Sequence, residues 1–308
     1  MRATEPVADR HRITPEIRAQ VRHIELRTRG LVESLFSGEY LSVFKGRGME
    51  FSDVREYHPG DDVRAIDWNV TARRGRPYVK ELVEERQLEV LLLVDLSASK
   101  EFGTGREPNG RVAAEIAAVL GLAASANNDR VGLLLCTDRV ERFVPPDTGR
   151  NHALRLVLEL LSHRPAGRGT RLTAGLEYLT KVLRQRTVVF ILSDYLLDTS
   201  ADAGFEHALR RVASRHDVVP IRLVDPANAT LPDVGMLAVL DPESGARRIV
   251  NTHDPRVREE HARRFERERE RIMDMLRGLR LDAVEIDTTR DYVPPMVSLF
   301  RRRARGGA

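Results

Sequence analysis

Residues 87–99, Q-L-E-V-L-L-L-V-D-L-S-A-S, constrain the fold more than any other stretch of the chain. Val90 to Val94 form an unbroken aliphatic run. A strand with one face in water alternates apolar and polar residues, whereas a short unbroken run belongs to a strand covered on both faces, at the centre of a parallel sheet. Such a strand delivers Asp95, Ser97 and Ser99, at alternate residues, onto the loop at its carboxyl end. In an open α/β sheet that is where ligands bind. The competing use of these three side chains is to cap the next helix.

Two later stretches sharpen the pattern. Gly169-Thr170-Arg171-Leu172-Thr173 opens a helical segment and offers a hydroxyl from Thr170, or from Thr173 close by. Val188 to Asp194, V-V-F-I-L-S-D, is a second buried-strand pattern that also ends in a carboxylate. The candidate ligands Asp95, Ser97, Ser99, Thr170 and Asp194 are all oxygen donors, which suit a hard cation such as Mg²⁺, or Mn²⁺ or Ca²⁺, better than zinc or copper. If the two aspartates end neighbouring strands, their backbones lie roughly 5 Å apart. Their charges would then repel by about 3 kcal/mol at an effective dielectric near 20. Either a cation sits between them or one carboxyl rises in pKa. Lys100 and Glu101 follow the serines directly and would compete for the site.

These residues, with Tyr57-His58-Pro59-Gly60-Asp61-Asp62-Val63-Arg64-Ala65-Ile66-Asp67-Trp68 and Ala72-Arg73, carry two resemblances. Asp95-x-Ser97-x-Ser99, Thr170 and Asp194 resemble the metal-ion-dependent adhesion site (MIDAS) of von Willebrand factor A domains. The stretch around Trp68 resembles the bacterial domain of unknown function 58 (DUF58) family, from about Leu41 to the C-terminus. The resemblance implies a von Willebrand factor A-like, Rossmann-like domain in which serines and threonine touch Mg²⁺ and the aspartates act largely through water. An acidic residue of a protein partner would complete the coordination, and a MoxR-type AAA+ ATPase is the implied partner.

The remainder of the chain fits a doubly wound, mostly parallel α/β sheet preceded by a helix and a small module. Residues 1–39 read as a tail and helix, with Thr14-Pro15-Glu16 as its start and Ile17, Val21, Ile24, Leu31 and Leu35 along one face. That face packs on its own domain or on a partner. Residues 40–86 read as a small β-rich or irregular module of short segments over 51–57, 65–70 and 78–84, with Trp68 as its anchor. Asp67 is expected to pair with Arg64 or Arg73, and a further carboxylate cluster of Asp61, Asp62 and Asp67 is a lesser possibility. Residues 87–308 form the α/β domain, with a hairpin inserted over 234–252 and a charge-dense helix over 254–279.

Composition excludes several classes. The one cysteine, Cys136, permits no internal disulfide, and no Cys/His group has zinc spacing. Of the 50 basic residues only Lys45, Lys80, Lys100 and Lys181 are lysine, but 46 acidic residues hold the net charge to +4. The arginine excess and the basic tail (Arg301, Arg302, Arg303, Arg305) therefore read as base composition and a solvated helix end, not nucleic-acid binding. No apolar signal core opens the chain, and the longest apolar stretch, Ile116 to Ala126, falls short of the roughly 20 residues needed to span a bilayer. A cytoplasmic protein is expected. No His or Lys within the site motifs offers a general base, so a binding role is expected over catalysis. The alternative is a Mg²⁺-dependent hydrolase or phosphotransferase using Asp95 as nucleophile, although D-x-D after the strand is missing.

Overall fold

The computed structural model describes residues 14–36, 54–58, 63, 66, 68–80, 87–97, 109–167, 169–196, 204–240 and 247–306. Its centre is a six-stranded sheet built from β3 (Glu89–Asp95), β4 (Arg130–Cys136), β5 (Val140–Asp147), β6 (Val188–Ser193), β7 (Asp217–Val224) and β10 (Val284–Asp287). The strand order is β10-β7-β6-β3-β4-β5, and only β5 runs antiparallel. Every residue of β3 is buried. The unbroken aliphatic run is thus explained by helices on both faces.

Alternation along β3 assigns its side chains to two cores. Val90, Leu92 and Val94 face α3 (Asn109–Ala126), α4 (Arg150–Ser162) and α8 (Val293–Gly306), together with Ile24 of α1 (Pro15–Phe36). Leu91 and Leu93 face α5 (Leu172–Val182), α6 (Phe205–Ala213) and α7 (Pro255–Gly278). Each of these fully buried aliphatic side chains contributes about 2 kcal/mol of transfer free energy. Helix α1 packs on this domain: Ile24 and Thr28 are buried, Arg27 bonds Glu115 of α3 at 3.2 Å, and Arg150 pairs with Glu25.

The described part of the small module combines two short strands with a helix. β1 (Val54–Glu56) and β2 (Tyr78–Lys80) pair antiparallel, and the last part of the segment expected over 65–70 belongs to a helix, α2 (Trp68–Arg74). Ala72, Arg73 and Arg74 favour a helix, and Gly75, at φ 70°, ends it by donating to the Thr71 carbonyl. Trp68 is 69% exposed and does not anchor this module. Asp61, Asp62, Arg64 and Asp67 lie outside the described residues.

At the other end of the chain, β8 (Met236–Leu240) and β9 (Arg247–Asn251) form the inserted hairpin as a separate two-stranded sheet. Asp254 caps α7 by accepting from the Arg256 N–H. The solvated face of α7 carries Arg–Glu pairs mostly three residues apart, as in Arg271–Glu268 and Arg263–Glu260. Arg303, placed by its neighbours in a solvated tail, is instead 11% exposed and clamps Asp217 and Asp282. Among the described residues no helix is long and apolar enough to cross a membrane.

Across the outer strands, Arg222 on β7 is 2% exposed and donates to Glu285 on β10 at 2.7 Å. Arg269 of α7 grips the same carboxylate at 2.6 Å, and the Phe265 ring stacks under the Arg222 guanidinium. Glu285→Ala leaves a buried guanidinium without its carboxylate and is expected to lower stability by about 3 kcal/mol. A urea midpoint that does not fall would contradict this.

Candidate functional site

The sheet reverses its winding at β3: the chain goes from β3 to β4 on one side, then returns to β6, β7 and β10 on the other. Open α/β sheets bind their ligands in the crevice at such a switch point, which here lies beyond the carboxyl ends of β3 and β6. Asp95 and Asp194 sit there, 1% and 2% exposed. The register corrects one expectation. Val94 pairs with Leu192, which sets Asp95 level with Ser193 and Asp194 one residue further out. The two carboxylates are therefore staggered and do not face each other directly.

Ser193 fills the gap between them. Its hydroxyl donates to Asp95 Oδ2 at 2.7 Å and accepts from the Tyr195 N–H at 2.9 Å. A hydroxyl has one proton to give and lone pairs to receive, so this side chain ties the end of β3 to the turn after β6. Asp95 Oδ1 accepts from the Ser97 N–H at 2.9 Å, and Asp194 Oδ1 from the Leu196 N–H at 3.1 Å. Tyr195 has φ 55°, a left-handed conformation that costs a non-glycine residue about 1–2 kcal/mol. Its ring is fully buried edge-on to Phe205, and its hydroxyl donates to the Ile191 carbonyl. Burial first, and the Asp95 charge second, push the Tyr195 phenol well above its ordinary pKa. It stays neutral.

Ser97 is fully buried in the same loop, and Ser99 lies outside the described residues, as do Lys100 and Glu101. Thr170 and Thr173 are 3% and 9% exposed at the start of α5. Neither caps that helix: the capping position is Arg171, with no side-chain bond. The Thr173 methyl lies against the start of α6, near Gly204.

The loop bearing Thr170 is held by residues that sequence patterns did not single out. Glu141, on β5, accepts from the Gly167 N–H at 2.7 Å, the Ala166 N–H at 3.1 Å and the Thr137 hydroxyl at 2.8 Å. Its side chain is 2% exposed, with His163 3.5 Å away. The Arg171 N–H then donates to the Thr137 carbonyl at 3.1 Å. A Cβ at Gly167 would stand 2.0 Å from Asp138 Oδ1 and 2.2 Å from Thr137 Oγ1, so only glycine lets this loop close on the β4–β5 turn. The glycines in R-P-A-G-R-G-T were the sole signal of that approach.

Among the described residues no three or more His, Cys, Asp or Glu side chains gather as a metal cage. The set at this crevice is of another type, two carboxylates with neutral hydroxyls. The carboxylates of Asp95 and Asp194 accept hydrogen bonds at this crevice, as ionised acceptors do. In donor chemistry the set fits a hard divalent cation.

Comparison with known proteins places these features in a wider group. Residues 53–271 match the family model described as "Protein of unknown function DUF58". "Uncharacterized protein Rv1480" of Mycobacterium tuberculosis is 33% identical over 294 residues, covering 95% of this chain and 91% of that protein. An uncharacterized protein of Mycobacterium avium is 27% identical over 165 residues, 53% of this chain and 95% of its own. Among solved structures, the conserved hypothetical protein BatB of Bacteroides thetaiotaomicron aligns over 71% of this chain and 99% of its own, at 15% identity and TM-score 0.47. A von Willebrand factor type A structure from Catenulispora acidiphila covers 75% of this chain and 43% of its own, at 11% identity and TM-score 0.36. At these distances neither structure decides a site or an activity.

Glu141 supplies a pH test of the loop support. Burial acts to raise its pKa, but the hydrogen bonds from Gly167, Ala166, Thr137 and His163 prevail and leave it below its ordinary value of 4.5. A depressed folded pKa means the carboxylate's contribution is full above the unfolded value and is lost as pH falls through the folded one. Glu141→Gln should therefore cost about 1–2 kcal/mol at pH 7. That deficit should shrink as the pH is lowered below 4.5 in parallel urea titrations. A deficit that grows on acidification would contradict the assignment.

Proposed function

Starting from a chain that belongs to the DUF58 family, we propose that it is a metal-dependent protein-binding module with a von Willebrand factor A-like site at the β3/β6 crevice. Ser97, Ser99 and Thr170 would supply direct oxygen ligands to Mg²⁺. Asp95 and Asp194 would stand behind them and hold bound water. The observation that carries the reading is the pair of buried aspartates at the carboxyl ends of two adjacent central strands, at the switch point, with buried hydroxyls beside them.

The chemistry follows from the charge arrangement. Asp95 has both oxygens engaged, by Ser97 N–H and by the Ser193 hydroxyl, so its orientation is fixed before any partner arrives. Neutral hydroxyl ligands leave a divalent ion short of negative charge in its immediate shell, and a carboxylate from a partner makes up the shortfall. Mg²⁺, when bound, supplies the Lewis acidity that recognises this carboxylate. Thr173, buried close by at the start of α5, is the alternative threonine ligand. The partner in this reading is a MoxR-type AAA+ ATPase presenting an acidic residue.

The test is binding of the full chain to a purified MoxR-type ATPase from the same host, in Mg²⁺ and in EDTA. Wild type is expected to bind only with Mg²⁺, while Ser97→Ala and Asp194→Ala lose at least about tenfold in affinity, equivalent to 1.4 kcal/mol, with unchanged circular dichroism. Binding that is indifferent to EDTA and to both substitutions would overturn the reading.

A further inference from the structure

The hairpin of β8 and β9 presents an apolar surface that the metal-site reading does not use. Seven large hydrophobic side chains are exposed among the described residues, and four of them, Val234, Met236, Val239 and Ile249, belong to this hairpin. Met236 and Ile249 are 70% and 71% exposed. The register Met236↔Asn251 and Ala238↔Ile249 puts Met236, Ala238 and Ile249 on one face. Leu237 and Val250, a cross-strand pair on the opposite face, are half-buried.

This is a firm platform. At its base Thr252 is fully buried, accepts from the Val234 N–H at 3.0 Å, and donates from its hydroxyl to the Gly235 carbonyl at 2.8 Å. Gly235, at φ 82°, brings the chain against the His253 ring. Asp233 is held by His253 at 2.5 Å and by Arg258 at 3.4 Å. The hairpin follows the carboxyl end of β7 and precedes the start of α7, so it rises from the same edge of the sheet as Asp95 and Asp194.

Two further features say what fits it. Among the described residues β8 pairs with β9 alone, and its five residues M-L-A-V-L carry no charge and no proline. Exposed edges of that kind are normally blunted by lysine or proline, because they accept another strand. β9 begins with Arg247 and Arg248, both exposed, and neither forms an ion pair among the described residues. By contrast, the arginines along α7 are largely paired. An uncharged edge, an apolar face and two exposed arginines match an extended, apolar and acidic segment.

We propose that the β8 edge docks an acidic, extended segment of a protein partner by strand addition. Apolar side chains at alternate positions of that segment would lie beside Met236 and Ala238 on the face that carries Ile249, and its carboxylates, on the opposite face, would turn toward Arg248. This surface acts independently of the metal site.

The probe is a fluorescein-labelled peptide alternating valine with glutamate, and a control in which lysine replaces glutamate. Anisotropy is measured on the full chain in EDTA, which silences any carboxylate capture at the Asp95 crevice. The acidic peptide is expected to bind saturably, more weakly as salt rises, and equally well to Ser97→Ala. Met236→Ser combined with Ile249→Ser, at exposed positions that tolerate change, should weaken it by at least about tenfold. Arg248→Glu should exchange preference to the lysine peptide. No saturable binding, or binding unaltered in these variants, overturns the proposal. So does a concentration-dependent dimer in sedimentation that Met236→Ser abolishes, since the occupant would then be a second copy of the chain.

Discussion

The hydrogen bond from the Ser193 hydroxyl to Asp95 is the interaction on which the crevice depends. Two strands that diverge at a switch point leave nothing but their own ends to fix the distance between them. At their amino ends, β3 and β6 are stitched by Glu89, which accepts from Thr187 at 3.0 Å and from Gln185 at 2.8 Å. At their carboxyl ends the stitch is Ser193. It holds Asp95 in one orientation and commits the next two residues to a left-handed turn at Tyr195. Backbone strain of this sort persists only where the surroundings over-determine it, and here they do, through a buried ring, a hydroxyl bond to Ile191 and the Ser193 acceptor.

The same face of the sheet continues as a polar row. Register places Arg222 level with Ser193, and Glu285 level with Arg222. Arg222 donates to the Asp194 carbonyl at 3.2 Å and to Glu285, which Arg269 also binds. Charges this deep survive only when paired and hydrogen-bonded. Each ion of the Arg222–Glu285–Arg269 set has such partners. The row therefore fixes the backbone of Asp194 from one side, while Ser193 fixes Asp95 from the other. Opposite, Glu141 and Gly167 fix the Thr170 loop on the β4–β5 turn. Three independent supports converge on one crevice, which is the arrangement a preorganised binding site needs.

Much of this was legible in the residues, and what was not has physical reasons. Val90–Val94 and Val188–Leu192 declared themselves as buried strands because only a doubly covered sheet tolerates unbroken aliphatic runs. The charge-dense helix expected over 254–279 is found over Pro255–Gly278. The facing of Asp95 with Ser193 was not legible, because register between strands nearly a hundred residues apart leaves no trace in either one. Glu141 looked like an ordinary polar residue on an edge strand; its role arises from a loop that folds back over it. Trp68 misled, since a lone tryptophan suggests a core, and here helix geometry turns it to solvent.

In the proposed reading Ser193 and the two aspartates hold a crevice ready for a hard divalent ion. Titration of Mn²⁺ into the full chain, followed by electron paramagnetic resonance of the free ion, tests it most directly. Wild type is predicted to take up one Mn²⁺ that Mg²⁺ displaces. Ser193→Ala, with unchanged circular dichroism, is predicted to bind it about tenfold more weakly, the usual effect of removing a partner that orients a ligand. Identical isotherms for the two proteins, or no uptake by either, would contradict the account.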